Sequence, residues 1–294
     1  MQFSKGHGTE NDFVLLPDPD ATLDLTPARV AALCDRRRGL GADGVLRVVR
    51  WAALEDEDGP APEPGVEWFM DYRNADGTAV EMCGNGVRVF ARYLQHAGWL
   101  GGSETPVGTR SGVRVVRMDP TSADGEISVD MGPAIVGEHS TASVDGALFP
   151  GVAVDVGNPH LACVTGHHID ALDLTAAPGH DRALFPHGVN VEFVSPLVAT
   201  GGGSDGEVTM RVHERGVGET RSCGTGTVAA AVAALRDADR HTGTVAVHTP
   251  GGRLRVTVEA ATTVLHGPAV LVAHGELTRS WWEAAGREPA RMSS

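Results

Sequence analysis

Met82-Cys83-Gly84-Asn85-Gly86-Val87-Arg88-Val89-Phe90-Ala91-Arg92-Tyr93-Leu94 is a cysteine followed by Gly-x-Gly and a mostly apolar run of helical length that ends at Gly98. The run predicts a largely buried helix with the cysteine at its N-terminus. The same event recurs at Cys223-Gly224-Thr225-Gly226, which opens an alanine-rich helix over 227–235. Superposing the two cysteines sets Asn74 opposite Glu214, nine residues upstream in each half. Strand, turn, cysteine, Gly-x-Gly and helix in the same order predict two structurally similar halves facing each other.

Outward from these motifs, 3–16 reads as two short strands joined by the polar turn Gly6-His7-Gly8-Thr9-Glu10-Asn11-Asp12. Thr26-Pro27 is a helix start, a capping hydroxyl followed by proline, and the helix is expected to reach about Arg38-Gly39. Strands are predicted at 45–51 and 66–72, separated by an acidic, proline-rich insertion at 55–65, and Asn74-Ala75-Asp76-Gly77 is a turn by composition. Further strands are predicted at 113–118, 127–131, 152–156, 189–194, 207–212, 244–248, 254–258 and 269–273, with a glycine-rich hairpin loop at 201–204.

Composition narrows the function classes. The chain has 294 residues, a formal charge of −14, 41% hydrophobic and 21% charged residues, which is globular and enough for one large domain or two. No apolar run approaches the roughly 20 residues a membrane helix needs, and the N-terminus lacks an apolar export signal, so a cytoplasmic protein away from membranes is expected. The acidic balance argues against nucleic acid as the main partner, and aromatics at 5% are too few for a base-stacking platform. Lys5 is the sole lysine; the other 23 basic residues are arginine. Pyridoxal phosphate chemistry needs a lysine Schiff base, and Lys5 has no phosphate-cradling context. Of the four cysteines, none forms C-x-x-C or pairs with histidine at zinc spacing, so neither a metal site nor a disulfide framework is expected. Cys34 and Cys163 read as core thiols.

A helix N-terminus carries unpaired N–H groups and partial positive charge, so a cysteine there is expected to have its thiolate stabilised. The glycines let a carboxylate approach the N–H groups closely. Two such helix starts facing across one cleft suit inversion at an α-carbon by two bases. One thiolate removes the proton, the opposite thiol returns one, and the helix ends stabilise the charge growing on the carboxylate. No electron-sink cofactor is then required.

With these residues the sequence resembles the diaminopimelate epimerase family along its whole length. The matching motifs are Lys5-Gly6-His7-Gly8-Thr9-Glu10-Asn11-Asp12-Phe13, Gly41-Ala42-Asp43-Gly44, Asn74-Ala75-Asp76-Gly77 with Glu81-Met82-Cys83-Gly84-Asn85-Gly86, Gly157-Asn158-Pro159-His160, Gly188-Val189-Asn190-Val191, and Glu214-Arg215-Gly216-Val217-Gly218-Glu219-Thr220 with Cys223-Gly224-Thr225-Gly226. The resemblance implies an α/β (α+β) fold of two pseudo-symmetric domains, each a curved, mostly antiparallel sheet wrapped around a central helix. The expected halves are 1–125 plus 268–294, carrying Cys83, and 126–267, carrying Cys223, with the active site in the cleft between them. The implied activity is isomerase chemistry, the cofactor-independent conversion of LL-2,6-diaminopimelate to the meso isomer, in lysine and peptidoglycan precursor biosynthesis, by a homodimer.

The resemblance further implies that Cys83 and Cys223 are the acid/base pair, with His160 and Glu214 influencing their pKa values. Gly84, Asn85, Gly224 and Thr225 would serve the carboxylate at the reacting centre, while Asn11, Asn74, Asn158, Asn190, Glu214 and Arg215 line the rest of the pocket. Arg215 suits the distal carboxylate and Glu214 the distal ammonium. Taken without the motifs, the asparagines also read as turn residues, His160 as an edge-strand histidine and Glu214-Arg215 as an exposed ion pair. Departures occur at Gly6, where the family more often has methionine, and at Thr9-Glu10, where it more often has leucine-glycine. Some members also carry glutamine at the position of Gly44. A proline or hydroxyproline racemase, a phenazine-type isomerase, and a ligand-binding or redox-sensing protein that oxidises Cys83 against Cys223 remain alternatives on the same residues.

Overall fold

The computed structural model of the chain describes residues 1–54, 60–119, 121–122, 124–201 and 203–286. Residues 55–59 of the expected insertion, Gly202 of the expected hairpin loop and 287–294 of the tail lie outside the described residues. Contacts divide the chain into two units: unit 1 takes 1–8, 12–124 and 269 onward, and unit 2 takes 9–11 and 125–268.

Unit 1 begins with β1 (Gln2–Gly8) and β2 (Asn11–Pro17), a hairpin whose two-residue turn, Thr9-Glu10, has φ of 49° and 63°. Positive φ at both central residues is the turn that matches strand twist, and it normally selects glycine or asparagine. Here side chains secure it. Thr9 Oγ1 lies 2.8 Å from Ser222 Oγ, and Glu10 pairs with Arg221. Those contacts group the tip with unit 2, not with the half that carries Cys83. Gly6 is explained by space, since a Cβ would lie 2.8 Å from the Val270 carbonyl oxygen.

Helix α1 (Pro27–Cys34) starts as expected, Thr26 Oγ1 accepting from Arg29 N at 3.3 Å. It ends four residues before the expected Arg38 because Asp35 takes over. That carboxylate accepts from the N–H groups of Arg37 and Arg38 at 2.8 and 2.9 Å, an alternative to continuing the helix. Then come β3 (Gly44–Arg50), β4 (Trp68–Asn74), α2 (Gly84–His96), β5 (Glu104–Thr109) and β6 (Gly112–Arg117).

Unit 2 carries β7 (Ile127–Gly132), β8 (Ile135–Val144), β9 (Ala147–Asp155), β10 (Pro159–Val164), β11 (Asn190–Val194), β12 (Gly206–Glu214), β13 (Gly218–Thr220), α3 (Gly224–Asp237), β14 (Gly243–Thr249), β15 (Gly252–Val258) and β16 (Thr263–Gly267). The chain returns to unit 1 with β17 (Val270–Glu276), which pairs antiparallel to β1, and α4 (Arg279–Ala285). Strands β5, β8, β10, β13 and β16 are absent from the predicted strands. In β8 the reason is exposure: it pairs with β9, touches Gly179 only through Ser143, and shows no apolar alternation until Ala142.

The two units share one ladder plan. After the β1–β2 hairpin, β2–β3 is parallel, β3–β4 antiparallel, β4–β5 parallel across α2, and β5–β6 antiparallel. In unit 2, β9–β10 is antiparallel, β10–β11 parallel, β11–β12 antiparallel, β12–β14 parallel across α3, and β14–β15 antiparallel. A parallel pair needs a crossover, and for β4–β5 and β12–β14 that crossover is the cysteine-led helix. Unit 1 wraps β1, β17, β3, β4 and β6 around α2, and unit 2 wraps its strands β9 to β12 and β14 to β16 around α3. Both helices are accordingly buried from their first residue, Gly84 to Leu94 and Gly224 to Leu235. Burial includes Arg88 and Arg92, whose guanidinium groups are satisfied by Gly84 O and Asn85 Oδ1, and by Ala269 O and Ser122 O.

Lys5 belongs to the frame of unit 1. Its ammonium sits 2.6 Å from Asp12 Oδ2 and donates to the Gly41 carbonyl, while Arg36 reaches Asp12 Oδ1 at 2.8 Å. Burial alone would raise the Asp12 carboxyl, but the hydrogen bonds from Arg36 and Lys5 outweigh it and hold the group at about 2. Because the folded value lies below the unfolded one, this contribution is complete above about pH 4 and is lost as pH falls toward 2. Denaturant unfolding between pH 5 and pH 2 is expected to show a loss of about 2 kcal/mol that Asp12→Asn removes; an unchanged pH slope in that variant would contradict the assignment.

Candidate active site

The two helices start in the same way. Cys83 and Cys223 are their N-caps, in extended conformation at φ −141° and −123°, and each Sγ accepts from the N–H of the third residue on, Gly86 or Gly226, at 3.4 Å. Serine, threonine, aspartate and asparagine are the usual residues here. A thiol in that place receives the exposed end of the helix dipole.

Apolar side chains flank the start of α2 beside Gly86. A Cβ built on Gly86 would touch Leu46 Cδ2 at 3.5 Å and Phe13 Cζ at 3.6 Å. Cys83 is half-buried. Asn85 has its Oδ1 held by Arg88 Nη2 at 2.8 Å. Asn74 ends β4, accepting from the Tyr72 hydroxyl at 3.0 Å and donating to Thr78 Oγ1 at 3.4 Å. Asn11 opens β2, directly after the Thr9-Glu10 turn.

Cys223 has a different setting. It is buried, and Thr225 Oγ1 lies 3.5 Å from its sulfur. Burial, then the carboxylates of Glu214 and Glu192, push this thiol well above its ordinary value. The sequence expectation of a lowered pKa therefore fails at Cys223: desolvation and two nearby acids outweigh the helix end. Glu214 is held by hydrogen bonds from the Thr220 hydroxyl and the Cys223 thiol. Burial raises its carboxyl, those hydrogen bonds opposing. Glu214 thus stands beside the thiol and has parted from Arg215, whose exposed guanidinium donates to the His187 carbonyl at 3.2 Å.

His160 is fully buried in β10, between β9 and β11, so it is no edge-strand histidine. Its Nδ1 lies 2.7 Å from Glu192 Oε1, and its Nε2 lies 3.0 Å from Asn158 Oδ1. Asn190 Oδ1 accepts from Arg215 N at 2.9 Å and Asn190 Nδ2 donates to Pro159 O at 3.4 Å, which ties the Arg215 turn to β10 and β11. Gly188, at φ +82°, leaves room for Arg215, whose Cδ would otherwise lie 3.0 Å from a Cβ.

Unit 2 therefore gathers Asn158, His160, Glu214, Cys223 and Thr225 into one cluster, while unit 1 holds Asn74, Cys83, Gly84 and Asn85. Glu192 was missed. The signal was present: β11 is buried at all five positions, and a carboxylate inside Asn190-Val191-Glu192-Phe193-Val194 needs a reason.

Cys34 and Cys163 are buried thiols pushed up to about 12 by desolvation. Iodoacetamide treatment of the native protein at pH 7.5, followed by peptide mass mapping, is expected to label half-buried Cys83 first and to leave Cys34, Cys163 and Cys223 intact until unfolding. Equal labelling of Cys83 and Cys223 would contradict this picture.

Comparison with known proteins adds independent findings. The family model described as diaminopimelate epimerase matches residues 3–136 and 152–272. The diaminopimelate epimerase of Rhodococcus erythropolis is 55% identical over 296 residues, covering 97% of this chain and 98% of that one. The Mycobacterium tuberculosis enzyme of the same name is 56% identical over 295 residues, covering 97% of this chain and all of its own. Among solved structures, a Bacillus anthracis phenazine biosynthesis protein of the PhzF family superposes with a TM-score of 0.68 at 13% identity, covering 95% of this chain and 99% of its own. A probable proline racemase from Agrobacterium radiobacter does so at 0.65 and 14%, covering 95% and 93%. The structural likenesses speak for the fold, and the sequence matches go further: this chain belongs to the diaminopimelate epimerase family.

Proposed function

We propose that the chain is a pyridoxal phosphate-independent amino-acid epimerase that converts LL-2,6-diaminopimelate to the meso isomer, with Cys83 and Cys223 as its two bases. The observation that carries the reading is the pair of cysteine N-caps, alike to the 3.4 Å N–H···S contact, in two units built on one ladder plan. Inversion at one α-carbon by two bases needs an acid/base group for each face, and the two thiols supply one each.

The resting proton belongs on Cys223, where burial and the neighbouring carboxylates favour the thiol. In the direction in which Cys223 donates, Cys83 abstracts; in the reverse direction Cys223 must lose its proton before the next turnover. Charge leaving the Cα–H bond moves onto the adjacent carboxylate. Backbone N–H groups around Gly84-Asn85 and Gly224-Thr225, at the positive helix ends, are suited to hold that charge. Asn11, Asn74, Asn158 and Asn190 offer donors and acceptors to the amino-acid heads, and exposed Arg215 suits a distal carboxylate. Lys5, committed to Asp12 and the Gly41 carbonyl, fits a route without a Schiff base. Homodimeric assembly, a cytoplasmic site and a place in lysine and peptidoglycan precursor synthesis complete the reading. Among the described residues no helix is long and apolar enough to cross a membrane.

In heavy water the enzyme is expected to place deuterium at the inverted α-carbon of LL-diaminopimelate and to leave free proline untouched. Cys83→Ala or Cys223→Ala alone is expected to reduce inversion by at least about 10³-fold. Inversion that survives both substitutions would overturn the two-base reading. Ligand binding without any exchange would make this a binding protein.

A further inference from the structure

Glu192 is fully buried, its Oε1 bonded to His160 Nδ1 and its Oε2 without any hydrogen-bond partner. A Cβ on Gly226 would fall 2.7 Å from Oε1, so residue 226 is glycine to leave room for this carboxylate against the start of α3. The repeat shows what it replaces. In unit 1, β2 pairs with β3 so that Leu15 faces Leu46 and Phe13 faces Gly44. In unit 2, β10 pairs with β11 so that Ala162 faces Glu192 and His160 faces Asn190. Phe13 and Leu46, the apolar pair beside Gly86, thus correspond to His160 and Glu192 beside Gly226. Exchanging an apolar contact for a buried ionisable pair does not favour stability, because both groups lose hydration that their attraction only partly offsets.

We propose that Glu192 is a positioning residue of the Cys223 cluster: it fixes the His160 ring with its Nε2 proton aimed at Asn158 Oδ1, so that the Asn158 amide presents its NH2 group to the substrate. The proposal rests on the epimerase reading for what the amide contacts, but not for the proton arrangement. Asn158 Oδ1 is an acceptor only, so Nε2 carries a proton; a second proton lies between Nδ1 and Oε1. The titratable groups facing this pair are Glu214 from β12, Cys223 from the start of α3 and Cys163 from β10 itself. All are acids, and His160 is the one ion-pair partner of Glu192 among the described residues. Wherever the inner proton rests between Nδ1 and Oε1, the contact to Asn158 Oδ1 keeps the outward proton on Nε2. Such an orienting carboxylate acts through ring tautomer and not through direct contact with the reacting atoms.

The test is nitrogen NMR of histidine-labelled full-length protein, with His160→Gln to assign the signal, alongside kinetics on LL-diaminopimelate. Wild type is expected to show a protonated Nε2. Glu192→Gln, of equal volume but uncharged, is expected to lose that fixed arrangement and to lower kcat/KM by on the order of 10²-fold with a displaced acid limb of its pH profile. Glu192→Asp, which keeps the charge, is expected to retain the Nε2 proton and recover part of the activity. An unprotonated Nε2 in wild type overturns the proposal, even where Glu192→Gln fails to fold. So does a folded Glu192→Gln enzyme with unchanged kcat/KM and pH profile, or one that loses only thermal stability. If wild type shows no epimerisation at all, the epimerase reading fails while the ring spectrum still judges Glu192.

Discussion

One backbone N–H, on the third residue after each cysteine, governs the rest of the structure. It donates to the sulfur at 3.4 Å in both units, which makes the thiol the cap of a buried helix. Because that helix is buried from its first residue, the sheet of each unit has to close around it. Because the cap is a thiol and not the more usual hydroxyl or carboxylate, the helix end carries a nucleophilic, ionisable group where most helices carry a purely structural one. The glycines that follow keep side chains away from the N–H groups, so the same few residues shape the helix, the fold and the site.

The two caps are alike in backbone and unlike in company. Cys83 has Phe13 and Leu46 across from Gly86, whereas Cys223 has Glu192 across from Gly226 and Glu214 at its sulfur. The helix ends are alike, but at Cys223 burial first, and then the carboxylates of Glu214 and Glu192, raise the thiol against the pull of the helix end. A repeated frame has been kept while its lining diverged, apolar in one unit and ionisable in the other.

Much of this was legible in the residues. The C-G-x-G repeat located both helices, and the nine-residue offset from Asn74 and from Glu214 marked corresponding positions at the ends of β4 and β12. What escaped was set by tertiary surroundings. The end of α1 depended on the Asp35 carboxylate capturing two later N–H groups, which no periodicity reveals. Strand β8, mostly exposed, carried no alternating pattern. The raised Cys223 thiol follows from burial, then from Glu214 and Glu192, and the partner of Glu192 is seen only when β10 lies beside β11 with His160 fully enclosed. Motif reading finds groups that a reaction uses directly; groups that act through another side chain are found by their contacts.

The path of the chain has a consequence for synthesis. Apart from the 9–11 tip, unit 2 is one continuous stretch, 125–268, whereas the sheet of unit 1 takes its partner for β1 from β17, at 270–276. During translation every strand of the later unit has left the ribosome before the earlier unit receives its final strand. Until then β1 has one of its two edges open, a row of unpaired N–H and C=O groups of the sort that invites wrong partners. The half that is made first is the half that finishes last.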